Sequence, residues 1–118
     1  RMKSDEYSKE IIKKMTLSIR TIMNVNKDDA LNNIKRLSKS ENPRLRYDCV
    51  KIIENILTHE TLKILVDMLD DSDCEVKRAA IMLLSNINKL HLPEIPLNML
   101  SEVQKRLTEE KLKNGWII

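Results

Sequence analysis

Apolar residues return along this chain at helix spacing, and they do so twice in the same order. Leu45, Cys49, Ile52, Ile53 and Ile56 fall at i, i+4, i+7, i+8 and i+11, and Val76, Ala80, Leu83, Leu84 and Ile87 repeat that spacing. The offset between the two stripes is 31 at every position. Each stripe follows another, first Leu31 and Ile34, then Leu62, Leu65, Val66 and Leu69, again 31 apart where they match. The predicted unit is therefore helix, short turn, helix, with one copy at residues 28–57 and a second at 59–88.

The turns carry helix-start chemistry. Ser, Asn and Asp in "SENPR" and "DDSDCE" can accept from the N–H groups left open by the first turn of a helix, and Pro43 suits an early helical position because it has no N–H to satisfy. A similar start sits at "NKDDA", residues 26–30, and "THE", residues 58–60, places Thr58 at an N-cap and Glu60 in the first turn. Upstream, Met15, Ile19, Ile22 and Met23 match Leu45, Cys49, Ile52 and Ile53 at an offset of 30, and Tyr7, Ile11 and Ile12 continue the stripe. Residues 5–25 thus read as one long helix, a half-unit or end cap. Downstream, "HLPEIPLN" is a Pro-interrupted connector, and Leu100, Val103 and Leu107 predict a last helix over residues 97–112 with a tail at 113–118.

Composition adds the class. A chain of 118 residues is the size of one domain, and 42% apolar with 33% charged residues is globular. One Gly, three Pro and no Phe favour an all-α fold of about six helices. The longest apolar runs are far short of the roughly 20 residues needed to span a bilayer, so no membrane role is expected. Two cysteines cannot make the framework of a small secreted domain, and a reducing, cytoplasmic compartment is the expectation. Arg1 before Met2 suits either an extra leading residue or a piece of a longer chain.

An acidic turn followed by Val76-Lys77, Ala79 and Ala80, then Leu83 and Leu84 resembles the HEAT-repeat signature. The short unit is similar to the phycobilin-lyase-type subclass. The resemblance covers residues 28–88, extends to 5–25 by apolar pattern alone and hardly reaches 90–118. It is weaker in the first copy, where Leu45-Arg46-Tyr47-Asp48-Cys49 has no alanines. It implies a right-handed, armadillo-like α-solenoid in which each unit buries its stripe only by stacking on neighbours. It also implies that Arg46 and Lys77 pair with acidic residues of the adjacent turn, for which Asp70, Asp71 and Asp73 are available. The second copy has Ile64, Val66, Leu69 and Met82 where the first has Asn33, Lys35, Ser38 and Lys51, which predicts that it sits in the middle of the stack.

Signs of catalysis are few. The chain has no Gly-rich phosphate loop, no CxxC and no recognisable nucleophile–His motif. HEAT-like di-iron hydroxylases use several His-Glu pairs, whereas this chain has only His59-Glu60, with His91 followed by Leu92. A capping or solvent-facing role is the simpler account of His59, and an inert turn position that of Cys74. No enzyme activity, cofactor or metal is expected.

Two partner classes remain. In the resembling family, second helices line the concave face. The corresponding positions are Leu17, Thr21 and Asn24, then Tyr47, Lys51 and Glu54, then Arg78, Met82 and Ser85. Tyr and Arg are common interface anchors and Met adapts its shape, so the last six residues are the candidate surface for a protein partner, against the plain alternative that Tyr47 and Met82 pack on neighbours. The alternative partner is a nucleic acid. Residues 1–40 hold ten Lys/Arg against five Asp/Glu, and Lys9, Lys13, Lys14 and Arg20 on the first helix could touch phosphates, although a solvated helix face is the simpler account of them. Three aromatics give no platform for stacking single strands. Trp116, Ile117 and Ile118 are expected to fold back as a cap, the other course being to dock on a second chain, so the expected state is a monomer or a weak homo-oligomer formed through the last helix and tail.

The stacking argument makes a prediction. Leu84→Ala should cost about 2–5 kcal/mol in urea unfolding, and a loss near zero would contradict the shared seam.

Overall fold

Local capping chemistry explains where each helix begins. In the computed structural model, which describes residues 2–87, 97–113 and 115, the order is α1 (Met2–Val25), α2 (Lys27–Ser38), α3 (Pro43–Asn55), α4 (His59–Asp67), a 3-10 turn (Met68–Asp70), α5 (Cys74–Ser85) and α6 (Leu97–Lys113). No strand occurs among the described residues. The Asn26 side chain accepts from Asp29 N at 3.2 Å, Asn42 from Arg44 N at 2.9 Å and Asp73 from Val76 N at 3.1 Å, while Pro43 opens α3. At α4 the Thr58 hydroxyl accepts from Thr61 N at 3.1 Å and Thr61 Oγ1 accepts from Thr58 N at 2.8 Å. The same Thr61 hydroxyl, fully buried, donates to Ile56 O at 2.8 Å and so ties the end of α3 to the start of α4. Gly115 takes φ +71° just past α6, a conformation that favours glycine, and its N–H donates to Leu112 O at 3.1 Å.

The helices form two layers. α1, α3 and α5 pack side by side, α2 and α4 lie behind them, and α6 rests chiefly on α5. The protein is an all-helical stack of hairpins, a solenoid in architecture. Ile34, Ile52, Ile53, Leu62, Leu65, Leu69, Leu84 and Ile87 are almost wholly buried in one continuous core. Burying each such side chain contributes roughly 1.5–3 kcal/mol, well above any surface ion pair at about 0–1 kcal/mol, so this seam decides the stacking order.

Two positions depart from the expected stripe. Leu45 is exposed, whereas its counterpart Val76 is fully buried. Side chains on a helix lean toward its N-terminus, and Leu45 leans over an exposed turn at residues 41–44. Val76 lies in a first turn covered by α6, as the Lys77–Glu110 pair at 3.8 Å records. In the second copy, Ile64 and Leu69 are buried where Asn33 and Ser38 are only half-buried, but Met82 is 60% exposed and adds nothing to the seam. The connector at 88–96, which includes His91 and the prolines, and Trp116 to Ile118 lie outside the described residues, as does the side chain of Tyr7.

Charged rungs join one hairpin to the next at the turns. Arg46 donates from Nε and Nη2 to the two carboxylate oxygens of Asp71, at 2.9 and 3.2 Å, and from Nη1 to Ser40 O at 2.8 Å. Asp71 also accepts from Asp73 N at 2.8 Å, so one carboxylate organises the turn before α5 and holds the guanidinium of α3. The next rung is different. Lys77 pairs not with an acidic turn but with Glu110 of α6, which is nearly buried and also meets Arg106 at 3.3 Å, while Arg106 reaches back to Asp70. In α1 the matching position is Thr16, whose hydroxyl turns inward to Ile12 O at 2.8 Å. Between α2 and α4, Lys27 donates to Glu60 at 2.8 Å, and that hydrogen bond holds the Glu60 carboxyl down at about 2.

Removing one member of the shielded Arg46–Asp71 pair leaves a charge without its partner. Arg46→Met should therefore cost about 3–5 kcal/mol, and adding Asp71→Asn should return part of that loss in a double-mutant cycle. Additive losses measured by chemical unfolding would show that the two groups do not act as a pair.

Candidate functional site

The helices α3 and α5 pack side by side and carry the same buried stripe 31 residues apart, so the positions on their other faces also correspond, Tyr47 with Arg78 and Lys51 with Met82. An open cleft of ≈ 390 Å³ runs between them. Five of the six residues expected at a protein-binding surface line it: Tyr47, Lys51, Glu54, Arg78 and Met82. Val50, Ala79 and Leu83 supply its apolar floor. Ser85 does not line it, because its hydroxyl donates to Ile81 O at 2.8 Å, and Asn86 stands at that end instead.

A second cleft of ≈ 570 Å³ adjoins the first on the α1 side and shares Tyr47, Lys51, Glu54 and Glu75 with it. Lys9, Ile12, Arg44 and Asn55 complete its rim. Sequence reasoning did not single out Arg44 and Glu75. They lie three residues before Tyr47 and Arg78, so extending the same stripe by one helical turn is the signal that finds them.

The basic residues of α1 do not share one surface. Lys9 lines the second cleft, Lys14 lines an apolar groove between α1 and α2 together with Arg36, and Lys13 is exposed. Arg20 donates from Nη2 to Asn55 O at 2.6 Å, closing the C-terminal end of α3. Of the remaining inner-face positions on α1, Leu17, Thr21 and Asn24 are all exposed, and the Thr21 hydroxyl donates to Leu17 O at 2.9 Å.

Electrostatics concentrate on Tyr47. The Arg44 guanidinium carbon and the Lys51 ammonium each lie 5.5 Å from the ring centroid, a geometry that favours both cations over the aromatic face. Arg44 also meets Asp48 at 3.4 Å. Asp48 is nearly buried, its Oδ1 has no hydrogen-bond donor, and desolvation pushes its carboxyl above the usual range despite Arg44.

Elsewhere the chemistry is sparse. Cys49 is buried, its thiol pushed up to about 12 by desolvation, and it contacts Ile34 O at 3.4 Å; Cys74 is exposed at the start of α5. His59 lines a wider cleft of ≈ 700 Å³ between α4 and α6, with Asp67 and Glu102. Among the described residues no group of three His, Cys, Asp or Glu is placed to hold a metal ion.

Layered helical hairpins with an arginine–aspartate rung are matched by a family profile. The profile for HEAT repeats matches residues 13–90, about two thirds of the chain. The chain belongs to the HEAT-repeat family. HEAT repeats generally mediate protein–protein interaction or scaffolding. The matched span starts within α1 and ends before α6, so the cleft between α3 and α5 falls inside the HEAT region, while Lys9 and Ile12 of the second cleft precede it. No curated protein and no solved structure matches the chain. No helix among the described residues is long and apolar enough to cross a membrane.

The position of Asp48 can be tested through pH. Its HEAT counterpart in the second unit is Ala79, and a carboxyl whose pKa is raised by folding stabilises the fold below its ordinary range and loses that contribution as pH rises through the folded value. Asp48→Ala should therefore raise the thermal midpoint at pH 7, by the equivalent of about 1 kcal/mol, with the gain shrinking near pH 3. A destabilised variant at pH 7 would show that the Arg44 pairing outweighs the desolvation.

Proposed function

We propose that this HEAT-repeat protein is a non-enzymatic binding or scaffold module that holds a partner protein along the inner face of α3 and α5. The observation that carries the reading is Met82. It is a large apolar side chain, 60% exposed, lining the same cleft as Tyr47 over an apolar floor, whereas Leu62, Leu65, Leu69, Leu83 and Leu84 of the same unit are buried. Exposed apolar surface of this kind, rimmed by charged groups, is what a partner segment covers. The protein acts as a monomer or a weak homo-oligomer, and Leu112 of α6, 69% exposed, is an apolar side chain through which copies would meet. Two free cysteines, one of them exposed, suit a reducing, cytoplasmic setting.

Nucleic-acid binding through α1 is the competing reading. Lys9, Lys13, Lys14 and Arg20 would have to act together, and their separation over two clefts and one hydrogen-bonded helix end works against it.

Short random peptides displayed on phage and selected on the full chain provide the test. Selected binders should shift backbone NMR signals of Tyr47, Val50, Ala79 and Met82, and Met82→Glu should weaken them roughly tenfold or more while the fold persists. Shifts confined to α1 and α2, or retention on duplex DNA that is lost on neutralising Lys13 and Lys14, would overturn the reading.

A further inference from the structure

The two adjoining clefts on the inner face carry unequal charge. Lys9, Arg44, Lys51 and Arg78 line them against two carboxylates, Glu54 and Glu75. Asp48, at 3.4 Å from Arg44, brings the tally to four cations against three carboxylates, a small positive excess on a face whose apolar features are Tyr47 and Met82. Two of the cations are also held in place, since Arg44 and Lys51 each lie 5.5 Å from the Tyr47 ring centroid and share that ring as their support. Charges positioned before binding lose less side-chain entropy when a partner arrives than charges on free stems.

We infer that the partner recognised on this face is an acidic peptide segment, one bulky apolar side chain seated between Tyr47 and Met82 and flanked by Asp or Glu residues that face Lys9, Arg44 and Lys51. The inference rests on the protein-binding reading above and adds the chemistry of the partner. A polyphosphate backbone fits the same surface less well. Glu54 lines both clefts, and a regular row of phosphates could not avoid it, whereas a peptide can place a neutral or basic residue opposite it. The exposed apolar side chain of Met82 also has no counterpart on a phosphate chain but matches a Leu or Phe.

Arg78 contributes to the field of the cleft, but the inference does not depend on it. Lys51 on α3 lies on the part of the rim that both clefts share and Lys9 on α1 on the outer part, so a segment seated at Met82 that also meets Lys9 crosses from the α5 side to the α1 side. The segment therefore spans three helices, not one pocket.

A peptide library with a fixed central leucine and flanking positions drawn from Glu, Lys and Ser, selected on the full chain, tests this. Glu should be enriched over Lys about fivefold at flanking positions, and Lys51→Glu should reverse that preference. Because Lys51 touches Tyr47, the exposed Lys9→Glu variant provides a second reading, with a smaller shift in the same direction and an unchanged thermal midpoint. If binders still map to Tyr47 and Met82 but Lys is preferred, or no charge is preferred, the acidic-partner inference is overturned and the protein-binding reading stands. If no peptide of any charge is selected and fluorescein-labelled duplex DNA or single-stranded RNA binds instead, both fall.

Discussion

Burial of an apolar stripe shared between successive hairpins is the constraint that the rest of this protein accommodates. A single hairpin of these lengths cannot cover its own Ile and Leu side chains, and only a neighbour in register completes the seam. Ile52 and Leu84 come from different units yet both lie in the same core with no measurable exposure. The spacing of 31 residues is thus a packing requirement. It brings the outward faces of α3 and α5 into register as a by-product, and the cleft bearing Tyr47 and Met82 follows from that register.

Hydrophobic burial alone does not define how far one hairpin may slide on the next. The polar groups at the turns supply that definition. Arg46 spans from α3 to both carboxylate oxygens of Asp71 and to the carbonyls of Ser40 and Glu41, four acceptors that fix its guanidinium plane. At the following turn, α6 contributes the acid, so Glu110 and Arg106 replace the acidic turn as partners of Lys77 and Asp70. At the other end, Thr16 has no charge to offer. The matching position on α1 therefore carries no ionic rung, and the Thr16 hydroxyl bonds within its own helix.

Much of this was legible in the sequence. Period, offset and caps locate the helices because a helix start needs a side-chain acceptor and a core face needs apolar residues at fixed spacing; Asn26, Asn42, Thr58 and Asp73 perform those tasks where the sequence places them. The partner of Lys77 was not legible, since Glu110 lies 33 positions away on a helix that the repeat does not cover. Neither was the exposure of Leu45, which depends on what lies over the first turn of α3. On the inner face, the pattern identifies Tyr47, Lys51 and Met82, but the grouping of Lys9 with Arg44 depends on how α1 packs against α3, and no local spacing encodes that. Ser85 shares the stripe and still turns away, because its hydroxyl finds a carbonyl of its own helix.

The inner face carries Met82, an exposed apolar side chain, within a rim of charged groups, and the seam behind it keeps that face in one shape. Native-state hydrogen exchange measures the seam most directly, since it reads how much of the stack opens together. The account predicts that amides of α3, α4 and α5 are the slowest to exchange and do so at a common free energy, with α1 opening earlier as the end of the stack. Protection of α1 equal to that of α4 and α5, or exchange of α5 independent of α3, would contradict it.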